Sequence, residues 1–176
     1  KGKETVKFGP VEVQPRIVID GIVANQKKFV PKDYFEEMDG LATASGIPRN
    51  DVYAGNFIPE AFHCSGFAIM NTATRDGTLY HGRVLDYAID WRLQEHAVLI
   101  VAEPDGKIPF ANVTYAGFIG SVTGLNAEHI SIGEMGGGGQ GHWDGFPMSF
   151  LVREVLQATS DLDAAIDVFR NNPRTC

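Results

Sequence analysis

A cysteine, an arginine and an aspartate stand near the middle of this chain in an order that suits nucleophilic chemistry. The stretch reads His63-Cys64-Ser65-Gly66-Phe67-Ala68, turns at Arg75-Asp76-Gly77, and returns through Leu79-Tyr80-His81-Gly82-Arg83-Val84-Leu85-Asp86-Tyr87. A thiol attacks a carbonyl as thiolate; a nearby guanidinium lowers the energy of that anion, and a carboxylate orients an adjacent amine or the arginine itself. A glycine at the turn supplies the positive φ that a hairpin needs, so the two runs are predicted to lie side by side. Each residue also has a plainer reading. A lone cysteine is commonly a small buried apolar residue, and Arg83 with Asp86 would make an ordinary ion pair on a solvated strand end.

The elements that must hold these groups are legible in outline. Residues 1 to 30 carry the β-branched runs Val11-Glu12-Val13 and Arg16-Ile17-Val18-Ile19-Asp20 between Gly and Pro breaks, which reads as an edge strand pair or a loosely packed arm. Pro31 followed by Lys32 to Met38 predicts a helix with proline in its first turn and a stop at Gly46, and Pro48 opens a shorter helical turn with Val52 and Tyr53. After the Phe67 to Val84 hairpin, a second is predicted from His96–Glu103 and Lys107–Tyr115 around Pro104-Asp105-Gly106. A third joins Phe118–Thr123 to Ile130–Met135. Three successive hairpins favour antiparallel sheet. Met148, Leu151, Val152, Val155 and Leu156 then form one helical face. Ser160 reads as a hydroxyl cap before Asp163, and Leu162, Ala165, Ile166 and Phe169 form the stripe of a second helix. Both helices are expected to cover one face of the sheet.

Composition narrows the function. The chain has 176 residues, 44% of them hydrophobic, enough for a sizeable core. Its formal charge of −7, from 15 Lys and Arg against 22 Asp and Glu, argues against a polyanion such as nucleic acid as partner. The two cysteines, Cys64 and Cys176, make no disulfide framework, and no apolar run has the length of a membrane span. His63, His81, His96, His129 and His142 show no metal-ligand spacing, so no metal and no cofactor is expected. His81 shares a strand face with Arg83 and reads as either a structural histidine or a base for Cys64. Gly136 to Gly141 lacks the ending of a phosphate loop and reads as a loop at a pocket rim.

Cys64-Ser65-Gly66, Asp76-Gly77 and Gly82-Arg83-Val84-Leu85-Asp86-Tyr87 together resemble the penicillin acyltransferase-like (isopenicillin-N acyltransferase) family of N-terminal nucleophile (Ntn) cysteine hydrolases, a group related to bile salt hydrolase and acid ceramidase. Val84 stands where that signature usually has asparagine. Asp39-Gly40-Leu41-Ala42, Ser45 to Pro48 and Asn56 to Glu60 are similar to the leader before the family's nucleophile, and Tyr115 to Asn126 to its next hairpin.

The resemblance implies an α+β fold, the αββα sandwich of Ntn hydrolases, with residues 1–63 as a leader or propeptide and 64–176 as the first part of the core. The chain stops after a helix where that fold needs more strands, so the remainder of the core is expected on a C-terminal half of the same precursor or a second subunit. It further implies an autoprocessing amidase or acyltransferase acting on amide or thioester bonds of an N-acylated small molecule. Cys64 would be the nucleophile, its freed amine the base, with Arg83 and Asp86 as the other catalytic residues. Tyr87, Glu134 and Met135 would meet the substrate. Glu134 stands near where bile salt hydrolase-like relatives place an asparagine for the oxyanion. Two alternatives remain open: a non-catalytic binding member of the same fold, or an enzyme whose processing site and nucleophile lie at or just after Cys176.

Overall fold

The computed structural model describes residues 6–8, 11–57, 64–87, 89–135 and 143–175. Two short strands, β1 (Val6–Phe8) and β2 (Val11–Val13), pair antiparallel with Val6 opposite Val13. The run from Arg16 to Asp20 is not a strand. It belongs to helix α1 (Pro15–Gln26), where Pro15 stands in the first turn and Arg16 Nε meets Asp20 Oδ1 at 2.7 Å, one helical turn on. Proline at a helix start and an i,i+4 ion pair outweigh the β-branched composition of Ile17-Val18-Ile19.

Helix α2 (Lys32–Ser45) begins just after Pro31, which occupies the capping position and not the first turn, and ends at Gly46, whose φ of 71° closes it in the left-handed conformation. Helix α3 (Arg49–Phe57) follows Pro48. Both pack on α4 (Met148–Ala158): the Tyr34 and Phe57 rings lie 4.9 Å and 5.4 Å from that of Phe150, and Met38 and Leu151 are fully buried beside them. The Tyr34 hydroxyl donates to Glu154 at 2.5 Å, and the Arg153 guanidinium lies over the Tyr34 ring at 5.0 Å while pairing with Glu37 at 2.8 Å. The segment before residue 64 therefore shares its core with the segment after it.

The sheet portion is α+β in arrangement and antiparallel throughout. Strands β3 (Cys64–Asn71) and β4 (Gly77–Leu85) form one hairpin, with Gly77 at φ 77° in the turn. Strands β5 (Ala97–Ala102), β6 (Phe110–Tyr115), β7 (Thr123–Asn126) and β8 (Ser131–Gly133) form a four-stranded sheet in sequence order. The third hairpin is shorter and later than the sequence pattern suggested. Phe118 and Val122 are core residues of an irregular segment that packs on Met148 and Val152. Its backbone is satisfied outside any ladder: Ile119 N–H donates to Asn56 Oδ1 at 2.8 Å and Ser121 N–H to the Ser149 carbonyl at 2.9 Å.

Helix α4 lies on β7 and β8, and α5 (Leu162–Asn171) packs against α4. Asp161, not Ser160, caps α5, accepting from Ala164 N–H at 2.8 Å. At the end of α4, the Asn126 amide donates to the carbonyls of Leu156 (3.0 Å) and Thr159 (2.7 Å). Buried Asn126 thereby fastens the helix terminus to the β7–β8 loop. The opposite face of the four-stranded sheet is apolar and open, with Leu99 64%, Val101 68% and Val113 55% exposed.

Gly145 marks a close backbone crossing. A Cβ built there would sit 2.5 Å from the Arg174 carbonyl carbon, next to the Phe146 N–H to Pro173 carbonyl bond of 2.6 Å. Since the obstacle is main chain, Gly145→Ala is expected to lower the unfolding free energy by about 1–3 kcal/mol, as overpacking does. The urea midpoint reads it; an unchanged midpoint would mean that the segment at Pro173 and Arg174 is not held against this loop.

Candidate active site

The β3–β4 register decides which side chains meet. Cys64 pairs with Leu85, Gly66 with Arg83 and Ala68 with His81, so the Cys64, Arg83 and His81 side chains share one face while Ser65, Phe67 and Val84 point to the other. Val84 is 56% exposed on that far face, so its departure from asparagine leaves the Cys64 side unaltered.

On the Cys64 face, Arg83 is the hub. Its Nη2 donates to both the Cys64 sulfur and Glu134 Oε2, the latter at 3.0 Å, and its Nε donates to the Glu134 carbonyl at 3.0 Å. Only 4% of the Arg83 side chain and 6% of the Glu134 side chain are exposed. The ion pair thus falls between Arg83 and Glu134 and not between Arg83 and Asp86. Glu134 is brought there by β8, whose Gly133 lets β4 approach: a Cβ on Gly133 would lie 3.1 Å from Arg83 Cγ and from His81 Nε2. The second Glu134 oxygen, Oε1, is buried and has no hydrogen-bond partner. Met135 follows with its sulfur over Gly66, 3.0 Å from where a Cβ would be.

Asp86 takes a different partner. Its Oδ2 accepts from the Ser65 hydroxyl at 2.7 Å. Tyr87 packs edge to face with Trp91, ring centroids 6.1 Å apart. His81 is not placed as a base for Cys64: it lies four residue pairs away along the hairpin, with Nδ1 2.8 Å from Ser131 Oγ. Among the described residues no cluster of three or more His, Cys, Asp or Glu could hold a metal ion. His63, Cys176, His142 and the Gly136 to Gly141 loop lie outside the described residues.

The Cys64 thiol is pushed up to about 12, first by burial and then by the neighbouring Glu134 carboxylate, against the opposing pull of Arg83 and of the Asp86 backbone amide. The guanidinium alone would favour thiolate; with Glu134 beside it the pair is nearly neutral and desolvation decides the sign. Burial and Glu134 together thus favour the protonated thiol of Cys64 over its thiolate. Tyr87 and Tyr115 hydroxyls are also pushed up, in both cases first by burial.

Two cavities meet at Arg83. One, of about 450 Å³, is lined mainly by apolar groups including Leu85, Tyr87, Ile89, Leu93 and Tyr115. The other, of about 460 Å³, adds His81, His129 and Ser131 to Val113 and Leu125. The sequence reading grouped Glu134 with the substrate contacts but gave it no link to Arg83. Nor did it single out Ser65, although a hydroxyl on the strand face shared with Asp86 was a readable signal.

Half-buried Cys64 thus touches a buried Arg83–Glu134 pair whose arginine also lines both cavities, in a chain of α+β arrangement. No family model matches the chain. It is similar to the protein dcd1A of Dictyostelium discoideum, 34% identical over 164 residues that make up 85% of this chain and 37% of that protein. It is also similar to an N-acylethanolamine-hydrolyzing acid amidase of Cavia porcellus, 28% identical over 171 residues, 90% of this chain and 47% of that enzyme. A third relative is the acid ceramidase of Rattus norvegicus, 26% identical over 168 residues, 79% of this chain and 41% of that enzyme. The chain thus spans less than half the length of these relatives.

Proposed function

We propose that this chain is the amino-terminal part of a self-cleaving cysteine amidase of the Ntn type, which hydrolyses the amide bond of an N-acylated small molecule. The contact between Cys64 and the buried Arg83–Glu134 pair carries the reading. Similarity to an acid amidase and an acid ceramidase supports amide hydrolysis over the thioester and acyl-transfer alternatives, which remain chemically open to the same acyl-enzyme.

In the first step the Cys64 sulfur adds to the His63 carbonyl carbon, the thiol proton passes to the Cys64 nitrogen as the C–N bond between the two residues breaks, and the thioester formed is hydrolysed by water. This frees the thiol together with a new α-amine. The cut thereby creates the base that the uncut site lacks. The amine takes the thiol proton, and the resulting ammonium supports the thiolate that Arg83 and Glu134 together do not. The thiolate attacks the substrate amide, the amine half leaves with the proton, and water releases the acyl half. Asp86 holds the new amine, the apolar cavity by Tyr87 takes the acyl chain, and Met135, over Gly66, meets the substrate on the Cys64 face.

Residues 1–63 act as the leader and 64–176 as the first part of the core. Because Tyr34 and Phe57 pack on Phe150, the leader stays attached after the cut. The open face of Leu99, Val101 and Val113 is covered by the remainder of the core, from the same precursor or a second subunit; bare, it would be an unusually large exposed apolar patch. Among the described residues no helix is long and apolar enough to cross a membrane.

Terminal sequencing and intact mass of the full-length protein test the reading. A fragment beginning at Cys64 is expected; a break near Cys176 with the 63–64 bond intact would move the nucleophile elsewhere. Alkylation gives a second check. With the thiol held up to about 12, uncut Cys64 is expected to react with iodoacetamide at neutral pH at least about 100-fold more slowly than a free cysteine, because each pKa unit removes tenfold of thiolate. The rate should climb as pH rises toward the shifted value. Rapid labelling of the uncut chain near neutrality would contradict the burial argument.

A further inference from the structure

We propose that Ser65 is a positioning residue for this centre: from the far face of the hairpin its hydroxyl anchors the Asp86 carboxylate so that the same carboxylate receives the α-amine freed at Cys64. The inference rests on the reading above, in which Cys64 is cut free and Asp86 holds its amine.

The geometry starts from alternation. Ser65 pairs with Val84, and Asp86 lies two residues beyond Val84, so Ser65 and Asp86 are diagonal neighbours on one face. Their 2.7 Å hydrogen bond is the direct result. Asp86 stands one residue past Leu85, the last residue of β4, where no ladder partner restrains it. An exposed carboxylate at a strand end would otherwise sample several rotamers. Its position matters because the register sets Asp86 one residue past the Cys64–Leu85 pair, at the end of the hairpin where the Cys64 nitrogen becomes terminal, and its backbone amide already favours the Cys64 thiolate. Only Oδ2 is engaged by Ser65, which leaves Oδ1 for an incoming ammonium. Ser65 thus reaches the chemistry through Asp86 without touching the thiol, whose side chain points to the other face.

The same register explains why the donor must be the residue directly after the nucleophile. A hydroxyl at position 66 would sit on the Cys64 face, where a Cβ would already crowd Met135 and the Gly82 carbonyl at 3.0 Å. The hydroxyl at position 65 reaches Asp86 without entering that space.

Threonine and valine at position 65 test this, since the two are nearly isosteric, both suit an exposed strand, and they differ in the hydroxyl. In the full-length protein, where the same carboxylate steadies the Cys64 nitrogen as it takes up a proton and leaves, Ser65→Thr is expected to cut itself at the wild-type rate and Ser65→Val about tenfold more slowly, the scale of one lost hydrogen bond to a charged group. In the processed protein, assayed on an N-acyl amide, Ser65→Val should lower kcat with KM nearly unchanged. It should also move the acidic limb of kcat/KM to lower pH, because a less well placed carboxylate stabilises the ammonium less. Equal cutting rates and pH profiles for the two variants would overturn the role of Ser65, as would an equal loss in both. Cys64→Ala serves as the control. If it retains activity the underlying reading has failed; if it is silent while Val and Thr behave alike, only the present inference has.

Discussion

Full-length protein carrying Cys64→Ala is expected to remain one uncut chain and to lose the proposed amidase activity by about 10⁴-fold or more, the scale seen when a nucleophile is removed. No neighbour can stand in for the thiol. Ser65, next in sequence, presents its hydroxyl on the opposite face and engages Asp86, and His81 is four residue pairs away beside Ser131. The loss is predicted to be chemical and not structural, because Cys64 is only half-buried at the head of a strand and alanine fits a strand start there. Circular dichroism and the thermal midpoint should therefore stay near wild type while the mass spectrum shows a single precursor. A variant that still yields a fragment beginning at residue 64, or that hydrolyses substrate at the wild-type rate, would remove Cys64 from the mechanism and favour a nucleophile beyond residue 176 or a binding role for the fold.

Much of the frame was legible because local chemistry dictated it. Gly46 and Gly77 adopt the positive φ that their helix stop and hairpin turn require, and the apolar stripe from Met148 to Leu156 has a helical period that no strand could use. Arg16 to Asp20 misled because Ile17, Val18 and Ile19 carry strand composition. The determinants of helix there are one proline and one ion pair, which composition hides. The third hairpin misled for another reason. Apolar Phe118 and Val122 resemble strand residues, but the backbone amides of Ile119 and Ser121 between them donate to Asn56 and Ser149, which come from distant helices. At the site, the facing of Cys64 and Arg83 followed from a hairpin turn nearby in sequence. The pairing of Arg83 with Glu134 spans 51 residues and depends on β8 settling beside β4, which no local pattern encodes. The sign of the Cys64 shift was hidden with it: guanidinium alone predicts a lowered thiol, and burial, with the Glu134 carboxylate beside it, reverses that.

That buried pair leads to the other large effect expected. Arg83→Met should destabilise the protein by about 3–5 kcal/mol, since it strips the partner from a carboxylate that is 6% exposed and already has one unpartnered oxygen. Methionine roughly replaces the aliphatic stem, so lost packing contributes little and the stranded charge dominates. Glu134→Gln strands the guanidinium in turn. The double variant Arg83→Met with Glu134→Gln removes both charges and should recover most of the stability, giving a coupling of a few kcal/mol in the cycle measured by urea unfolding. Activity should not follow stability back. The double variant restores a neutral, packed site but leaves the Cys64 sulfur without the Nη2 donor it meets in the native chain. Self-cleavage and hydrolysis are expected to stay depressed by about 10²-fold or more, the scale of a lost charge-stabilising donor. Recovery of both would make the pair a structural fastener between β4 and β8. Recovery of stability alone would separate the two roles of Arg83, holding Glu134 in the ground state and supporting sulfur-centred charge during the reaction.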